Sequence, residues 1–300
     1  MSRRSPYLSP GPHSFRTHAG ATLTYFVTGT GERVLVNVAP GWGCASVLYQ
    51  HSFGFLSQPQ FGFTLVHLEV RGTRGSTAAE DKMEMGSWHM AEDLEALRLH
   101  LGLSTLDVLG HANGGCIALW YAIRFPARIR RLVLVSPQLL GTTELETEAA
   151  AARERLLAAR VEEQAVDCFR REQLRNLRND EQLAQAIRST MPLYLARPER
   201  DLDALGELFA LVAPQITCWR AQTAIDQRKQ FEDQAEQLSS VTAQTLIIVG
   251  QEDLIYPVVV AQRVAKGVRG SSLRVLDDSA HFPWIEQRDS FSRTILAFYS

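Results

Sequence analysis

Hydrophobic and polar residues follow two different periods along the chain, and these periods predict alternating strands and helices. The segment ATLTYFVTG (residues 21–29) alternates apolar with polar residues, as a half-buried strand does. Further predicted strands, each leading into a turn, are RVLVNVAPGWG, FTLVHLEVRGTRGS, TLDVLGH and IRRLVLVSP. Helical spacing marks the segments MAEDLEALRLHLGL and GGCIALWYAIRFP. This alternation predicts parallel βαβ units, and the apolar strands predict a sheet that is covered on both faces.

The middle of the chain has a different pattern from its two ends. Residues 138–239 are rich in Ala, Leu, Glu and Arg at helical spacing and contain no clear strand, whereas strand and helix patterns alternate again from residue 240. We therefore predict an α/β core formed by residues 1–137 and 240–300, interrupted by a helical cap at 138–239. Residues 1–12 are rich in Ser, Pro and Arg, which predicts a loose arm.

Composition narrows the class of protein without identifying its function. The chain has 300 residues, of which 45% are hydrophobic and 21% charged, as in an ordinary soluble globular protein. The formal net charge of −2 provides no basic field for nucleic acid. No apolar run approaches the roughly 18 residues of a membrane span, and none follows the basic opening MSRR as in a signal peptide. We therefore expect a cytoplasmic protein that binds neither nucleic acid nor membrane.

The four cysteines are far apart in the sequence, and no Cys/His cluster suggests a metal site. We therefore expect neither a metal nor another cofactor. The expected partner is a small-molecule substrate, and the sequence does not indicate an oligomeric state.

One short segment carries the strongest chemical signal. Gly110-His111-Ala112-Asn113-Gly114 lies between a predicted strand and a predicted helix, which is the arrangement of a nucleophile elbow. The outer glycines allow strand and helix to approach each other closely. The turn exposes its central side chain and directs the helix N-terminus towards an oxyanion formed beside it. The central position of this turn, however, is occupied by Ala112, which has no nucleophilic atom.

At this point the chain resembles the α/β-hydrolase superfamily, over residues 15–299. DVLGHANGG is similar to the family's GHSxGG turn with Ala for Ser, and EVRGTRGS to its DxRGxGxS loop with Glu69 for Asp. APGWG resembles the loop that supplies oxyanion donors, although Pro40 stands where the family has His. GQEDLIYP and DSAHFPW resemble the turns that carry the acid and the histidine, which points to Asp253 and His281. The order nucleophile, acid, histidine also fits.

The resemblance implies a fold and a set of site residues. The expected fold is the α/β-hydrolase fold, with a mostly parallel eight-stranded sheet flanked by helices and a helical cap inserted after the sixth strand. The expected catalytic positions are Ala112, Asp253 and His281, and the expected oxyanion donors are the backbone N–H groups of Trp42 and Asn113. The predicted substrate-binding residues are Gly41, Trp42, Tyr194 and Trp219.

Several of these residues also have ordinary structural interpretations. Asp253 on its own is a common turn residue, because its side chain bonds nearby backbone. Tyr194 and Trp219 alternatively only pack the cap on the core. Among the remaining polar residues, we expect His67 and His111 to be packing residues and Asp93 to be structural.

Two explanations for Ala112 remain open. In the first, alanine has been substituted for a natural serine to trap a ligand, and the protein is a serine hydrolase acting on a small-to-medium apolar ester or lactone. In the second, alanine is natural, and the protein is a ligand-binding or sensor protein, or a cofactor-free lyase or cyclase with His281 as base. A peptidase of the proline iminopeptidase type is less favoured, because its HGGPG loop is absent from this sequence.

Overall fold

Eight strands form a single sheet in the order β1-β2-β4-β3-β5-β6-β7-β8. The computed structural model describes residues 5–18, 20–41, 43–141, 143–170, 177–228 and 234–300. The pairings β1–β2 and β2–β4 are antiparallel and the others are parallel, which confirms the predicted mostly parallel sheet. The strands are β1 (Gly11–Arg16), β2 (Thr22–Thr28), β3 (Arg33–Val38), β4 (Phe63–Leu68), β5 (Leu106–His111), β6 (Ile129–Val135), β7 (Gln244–Gly250) and β8 (Ser272–Leu276).

Helices cover both faces of this sheet. They are α1 (Val47–Ser52), α2 (Ser87–Leu101), α3 (Asn113–Arg124), α4 (Thr143–Ala158), α5 (Glu163–Arg170), α6 (Asp180–Thr190), α7 (Pro198–Ala210), α8 (Ile216–Asp226), α9 (Val258–Gly267), α10 (Pro283–Glu286) and α11 (Arg288–Tyr299). Helix α2 ends where Gly102 adopts a left-handed conformation, with φ of 69°. No helix of the described residues is long and apolar enough to cross a membrane.

The core lies on both sides of the sheet, which explains why its strands are continuously apolar. Along β5, Leu106 and Val108 pack into the cluster that contains α2, α3 and α9. Leu109 packs into the opposite cluster, with α1 and α11. Alternate side chains of one strand therefore enter two different cores.

The N-terminal segment differs from the predicted loose arm. Residues 1–4 lie outside the described residues, but Pro6–Leu8 form a turn of 3₁₀ helix and β1 pairs with β2 along its whole length. Pro12 is compatible with this strand because β1 is an edge strand of the sheet. The prediction was therefore wrong for residues 5–12, since the burial of Leu8 and Phe15 outweighs the Ser/Pro-rich composition.

Helices α4 to α8 all lie between β6 and β7, and the described residues of this insertion contain no strand. The insertion thus follows the sixth strand, as predicted, while its exact limits at 138 and 239 stay a prediction. Helix α8 lies directly on the core: a Cβ added to Gly41 would be 2.3 Å from Gln222 Oε1, and one added to Gly72 would be 2.6 Å from Cys218 Sγ. Glycines at these two positions let the side chains of this helix approach the core backbone closely.

Candidate active site

The turn between β5 and α3 has the strained geometry of a nucleophile elbow. Ala112 has φ 52° and ψ −123°, which residues other than glycine rarely adopt. Its N–H donates to Val135 O over 3.1 Å, and its carbonyl accepts from Gln138 N over 2.9 Å. A Cβ on Gly114 would lie 2.1 Å from the carbonyl oxygen of Val38. Surrounding backbone therefore holds residue 112 in this conformation. Glycine is sterically required two residues later, at position 114.

The structure brings the side chains of Asp253 and His281 together. Asp253 Oδ2 and Oδ1 lie 3.0 and 3.2 Å from His281 Nδ1, and both side chains are buried. Asp253 Oδ1 also accepts the backbone N–H groups of Ile255 and Tyr256, at 2.9 and 3.0 Å. Because a carboxylate only accepts, Nδ1 carries the proton and Nε2 is left as the basic nitrogen. This is the arrangement that a general base requires.

His111 links the histidine turn to the elbow. Its Nε2 donates to the backbone oxygen of His281 over 2.9 Å, and its Nδ1 accepts from the Tyr49 hydroxyl over 2.8 Å. Burial lowers the pKa of His111 well below its ordinary value, so the ring is neutral and makes both bonds. Since His111 directly precedes Ala112, this bond holds residue 281 beside the elbow. His111 is therefore a packing residue, as predicted, with a bracing hydrogen bond that sequence reasoning missed.

The predicted oxyanion donors are only partly within the described residues. The N–H of Asn113 is at the first position of α3, where an α-helix offers it no acceptor, whereas Trp42 lies outside the described residues. The Asn113 side-chain oxygen accepts from Gly41 N over 2.9 Å and from Gln222 Nε2 over 2.7 Å. Asn113 thus connects three parts of the site: the elbow, the loop that follows β3, and helix α8. The N–H of Gly41 already donates to Asn113, so it is not free to bind an oxyanion.

A second buried carboxyl group, which the sequence did not reveal, lies beside this network. Asp226 Oδ1 and Oδ2 accept from the backbone N–H and the hydroxyl of Ser87, over 2.8 and 2.6 Å. Burial raises the pKa of Asp226 to about 6. The two residues are 139 positions apart in the chain, so no local motif relates them.

Glu286 holds the two residues that flank His281. Its Oε2 accepts from the N–H groups of Ala280 and Phe282, at 2.9 and 3.2 Å, and its Oε1 accepts from Ala196 N at 2.7 Å. Burial raises the pKa of Glu286 to about 7 despite these bonds. Glu286 therefore connects the histidine turn to the inserted helices through three backbone amides.

Replacing Glu286 with Gln is expected to change how stability depends on pH. The folded pKa of about 7 lies above the ordinary value of 4.5, so the carboxyl group's contribution to stability is present below pH 4.5 and is lost as the pH rises to 7. The stability of the native protein relative to Glu286→Gln should therefore fall over this interval, by at most about 3 kcal/mol. Urea unfolding at several pH values measures the difference.

The matched control is Glu207→Gln, which changes an exposed glutamate on α7. In this variant, the free energy of unfolding should change with pH in parallel with that of the unsubstituted protein. Any constant cost of placing an amide at position 286 shifts the profile without changing its slope. A Glu286→Gln profile parallel to the native one would contradict the prediction.

A cavity of about 880 Å³ lies next to these groups, beneath the inserted helices. Tyr194 and Trp219 line it, and so do Asn113, Cys44 and Tyr256; that Tyr194 and Trp219 bind substrate stays a prediction. The rings of Tyr194 and Tyr256, which both line the cavity, lie 5.5 and 5.8 Å from the His281 ring. Ala112 and His281 do not line the cavity themselves, since they are only 1% and 2% exposed.

Cys44, which lies on this cavity wall, does not replace a serine nucleophile. Burial raises the pKa of the Cys44 thiol to about 12, so it is not a thiolate at neutral pH. Among the described residues, no group of three or more His, Cys, Asp or Glu side chains could hold a metal ion.

Asp93 and His67, for which the sequence predicted structural roles, make such contacts in the fold. Asp93 forms a two-point ion pair with Arg71, whose Nε and Nη2 lie 2.7 and 3.0 Å from its carboxylate oxygens. His67 is completely buried in β4 and bonds Thr28 and Asn37, and burial lowers its pKa to about 3. Neither residue lines the cavity.

The fold and the strained turn agree with the comparison to known families. The family model described as alpha/beta hydrolase fold matches residues 36–287. The chain therefore belongs to the α/β-hydrolase fold family, as the motifs predicted.

Individual relatives are hydrolases of several kinds. The chain is 27% identical over 244 residues to a proline iminopeptidase of Saccharolobus solfataricus, covering 79% of this chain and 76% of that protein. Its structure resembles an esterase from Exiguobacterium antarcticum, with a TM-score of 0.71, 18% identity and coverage of 96% and 99% of the two chains. It also resembles the enol-lactonase from Burkholderia xenovorans, with a TM-score of 0.69, 20% identity and coverage of 96% and 99%. The family model and the iminopeptidase relative support hydrolase activity, whereas the likeness to the two solved structures shows the fold alone.

Proposed function

We propose that this protein is a serine hydrolase of carboxylic esters or lactones, and that alanine has been substituted for its nucleophilic serine at position 112. The observation that carries the proposal is the buried hydrogen bond between Asp253 and His281, held beside an elbow whose central residue has a strained backbone. Strain of this kind costs of order 1–3 kcal/mol and is typical of functional sites. A methyl group gains nothing from it, whereas a hydroxyl group at this position would supply a nucleophile.

The proposed reaction uses a serine at position 112. His281 Nε2 takes the proton of the hydroxyl group as its oxygen bonds to the substrate carbonyl carbon. The backbone N–H of Asn113, with that of Trp42 by resemblance to the family, stabilises the oxyanion. The protonated imidazole, which Asp253 stabilises, then gives its proton to the leaving alkoxide as the acyl–oxygen bond breaks. Water releases the acyl group by the same steps in reverse order.

A non-hydrolytic function is the second candidate, and Ala112 itself favours it. A natural alanine would leave His281 as a base without a covalent step, in a ligand-binding protein or in a lyase or cyclase that needs no cofactor. Such a protein would keep the cavity and the Asp253–His281 pair. It would form a rearranged product or none, instead of an acid and an alcohol.

Covalent labelling tests the first proposal directly. In an Ala112→Ser chain, a fluorophosphonate should react at residue 112, with a new Oγ–P bond, loss of fluoride and transfer of the hydroxyl proton to His281. Mass spectrometry of the intact protein and its peptides measures the adduct.

The Ala112 chain and a double variant, Ala112→Ser with His281→Ala, serve as controls. Neither should be labelled on the same time scale, because one lacks the oxygen and the other lacks the base. Absence of labelling in a folded Ala112→Ser chain would argue for the non-hydrolytic candidate.

A further inference from the structure

An arginine side chain is fixed in the cavity wall on the side of the acid turn. Arg153 lies on α4 and lines the cavity. Its Nε donates to Leu254 O over 2.9 Å and its Nη2 to Ile255 O over 3.1 Å. These carbonyls directly follow Asp253 in the chain, so the guanidinium is attached to the turn that supplies the acid. Its planar geometry is thereby oriented before any ligand binds.

The charge of this guanidinium is not neutralised by its contacts with the part of the chain that the structure describes. Its two acceptors, Leu254 O and Ile255 O, are neutral carbonyls, and they use two of the five N–H donors of the side chain. Within the described ranges, no carboxylate forms an ion pair with Arg153. A partly buried cation without a counterion attracts an anion more strongly than an exposed one, because less water screens it.

A neutral hydroxyl group is available on the same part of the wall. Tyr256 and Arg153 both line the cavity, and Tyr256 directly follows Ile255, whose carbonyl accepts from Arg153 Nη2. Burial raises the pKa of Tyr256 well above its ordinary value, and Arg153 only partly offsets this, so the hydroxyl remains a donor. Arginine and a tyrosine hydroxyl are a suitable donor set for a carboxylate.

The acidic residues of the cavity do not occupy this position. Glu146 is seven residues before Arg153 on α4, which separates the two along the helix by about 10 Å, and it is exposed to solvent. Asp226 is bound through both oxygens to Ser87, in the network around Asn113. The remaining wall near α4 is mostly apolar; it includes Leu139, Leu145, Ala149, Phe169 and Val260.

We propose that Arg153 and Tyr256 form a carboxylate subsite, so that the substrate is a monoanionic ester or lactone with a carboxylate group remote from the bond that is cleaved. This inference rests on the proposed function for the reaction, but the subsite itself does not depend on residue 112. It changes the expected substrate from a wholly apolar molecule to one with an apolar body and an anionic end.

Two substrates of equal length test the subsite in the Ala112→Ser chain. Mono-4-nitrophenyl glutarate carries a carboxylate where 4-nitrophenyl pentanoate carries a methyl group. Arg153→Gln should lower the ratio of kcat/KM for the anionic substrate to that for the neutral one by about 10- to 100-fold, mainly through KM, because a charge-assisted hydrogen bond is lost. Arg153→Lys should restore part of the ratio, and Tyr256→Phe should lower it less than Arg153→Gln does.

The matched control is Arg155→Gln, which removes an exposed arginine from the same helix and should leave the ratio unchanged. Arg153 also supports the acid turn, so a purely structural role would lower kcat for both substrates equally. That result would overturn the subsite, as would an unchanged ratio in both Arg153 variants.

Binding to the native Ala112 chain provides a readout that does not require turnover. Calorimetry should show that monomethyl glutarate binds more tightly than dimethyl glutarate, and that Arg153→Gln removes the difference. If Ala112→Ser hydrolyses no ester but this difference is present, the proposed reaction fails and the subsite stands. If esters are hydrolysed without regard to charge and no difference in binding is found, the subsite fails and the reaction stands.

Discussion

Replacing Ala112 with serine is expected to raise kcat for an activated ester by about 10⁶-fold, because removal of the nucleophile from a hydrolase of this type costs about that much. The native chain would retain only oxyanion stabilisation and substrate binding. The backbone of residue 112 already has the strained conformation of an elbow, so serine requires no rearrangement. Release of 4-nitrophenolate from short-chain esters, followed by absorbance, measures the gain.

The control at the same position is Ala112→Gly, which relieves the strain and adds no hydroxyl group. It should gain no activity. A second control combines Ala112→Ser with His281→Ala and should lose nearly all of the gain. A gain of less than tenfold across a panel of activated esters and lactones, in a folded Ala112→Ser protein, would contradict the proposed reaction.

The second large effect is expected at the acid. In the Ala112→Ser chain, Asp253→Asn should lower kcat by about 10⁴-fold. The carboxylate accepts the Nδ1 proton of His281 over 3.0 Å, whereas an amide can present a donor to that nitrogen. The proton then moves to Nε2, and the imidazole can no longer accept the proton of serine. Steady-state kinetics with the same ester measures the loss.

A matched change is available near the histidine turn. Asp277 is exposed and lies just beyond β8, and Asp277→Asn should change kcat by less than twofold. Thermal unfolding should separate loss of chemistry from loss of fold. Equal activity of the Asp253→Asn and Asp277→Asn chains would assign the acid role to another residue.

The parts of the site that the sequence predicted are those in which local turn chemistry accompanies a strand. Glycines around residue 112 mark a close approach of strand and helix, and the structure places a Cβ at Gly114 only 2.1 Å from Val38 O. Asp253 and His281 each follow a predicted strand. In a mostly parallel sheet the carboxyl ends of such strands lie at the same edge. The order of the motifs along the chain therefore predicted that Asp253 and His281 would lie close together.

The groups that sequence reasoning missed act across long distances in the chain. Glu286 bonds Ala196, 90 positions away, and Arg153 bonds Leu254, 101 positions away. No periodicity or motif relates such pairs, because the contacts exist only after the inserted helices have packed on the core. The wrong prediction for residues 5–12 has a related cause: pairing with β2 stabilises a strand that composition alone disfavours.

The strained turn described at residue 112 persists with a methyl side chain, and this has a consequence for the origin of new activities in this fold. Bonds from Val135 and Gln138 maintain the conformation, so it does not depend on which side chain the residue carries. Serine, cysteine or aspartate would be presented by the same backbone. A substitution at this one position therefore changes the side chain that the turn carries and leaves the backbone bonds that hold the turn available.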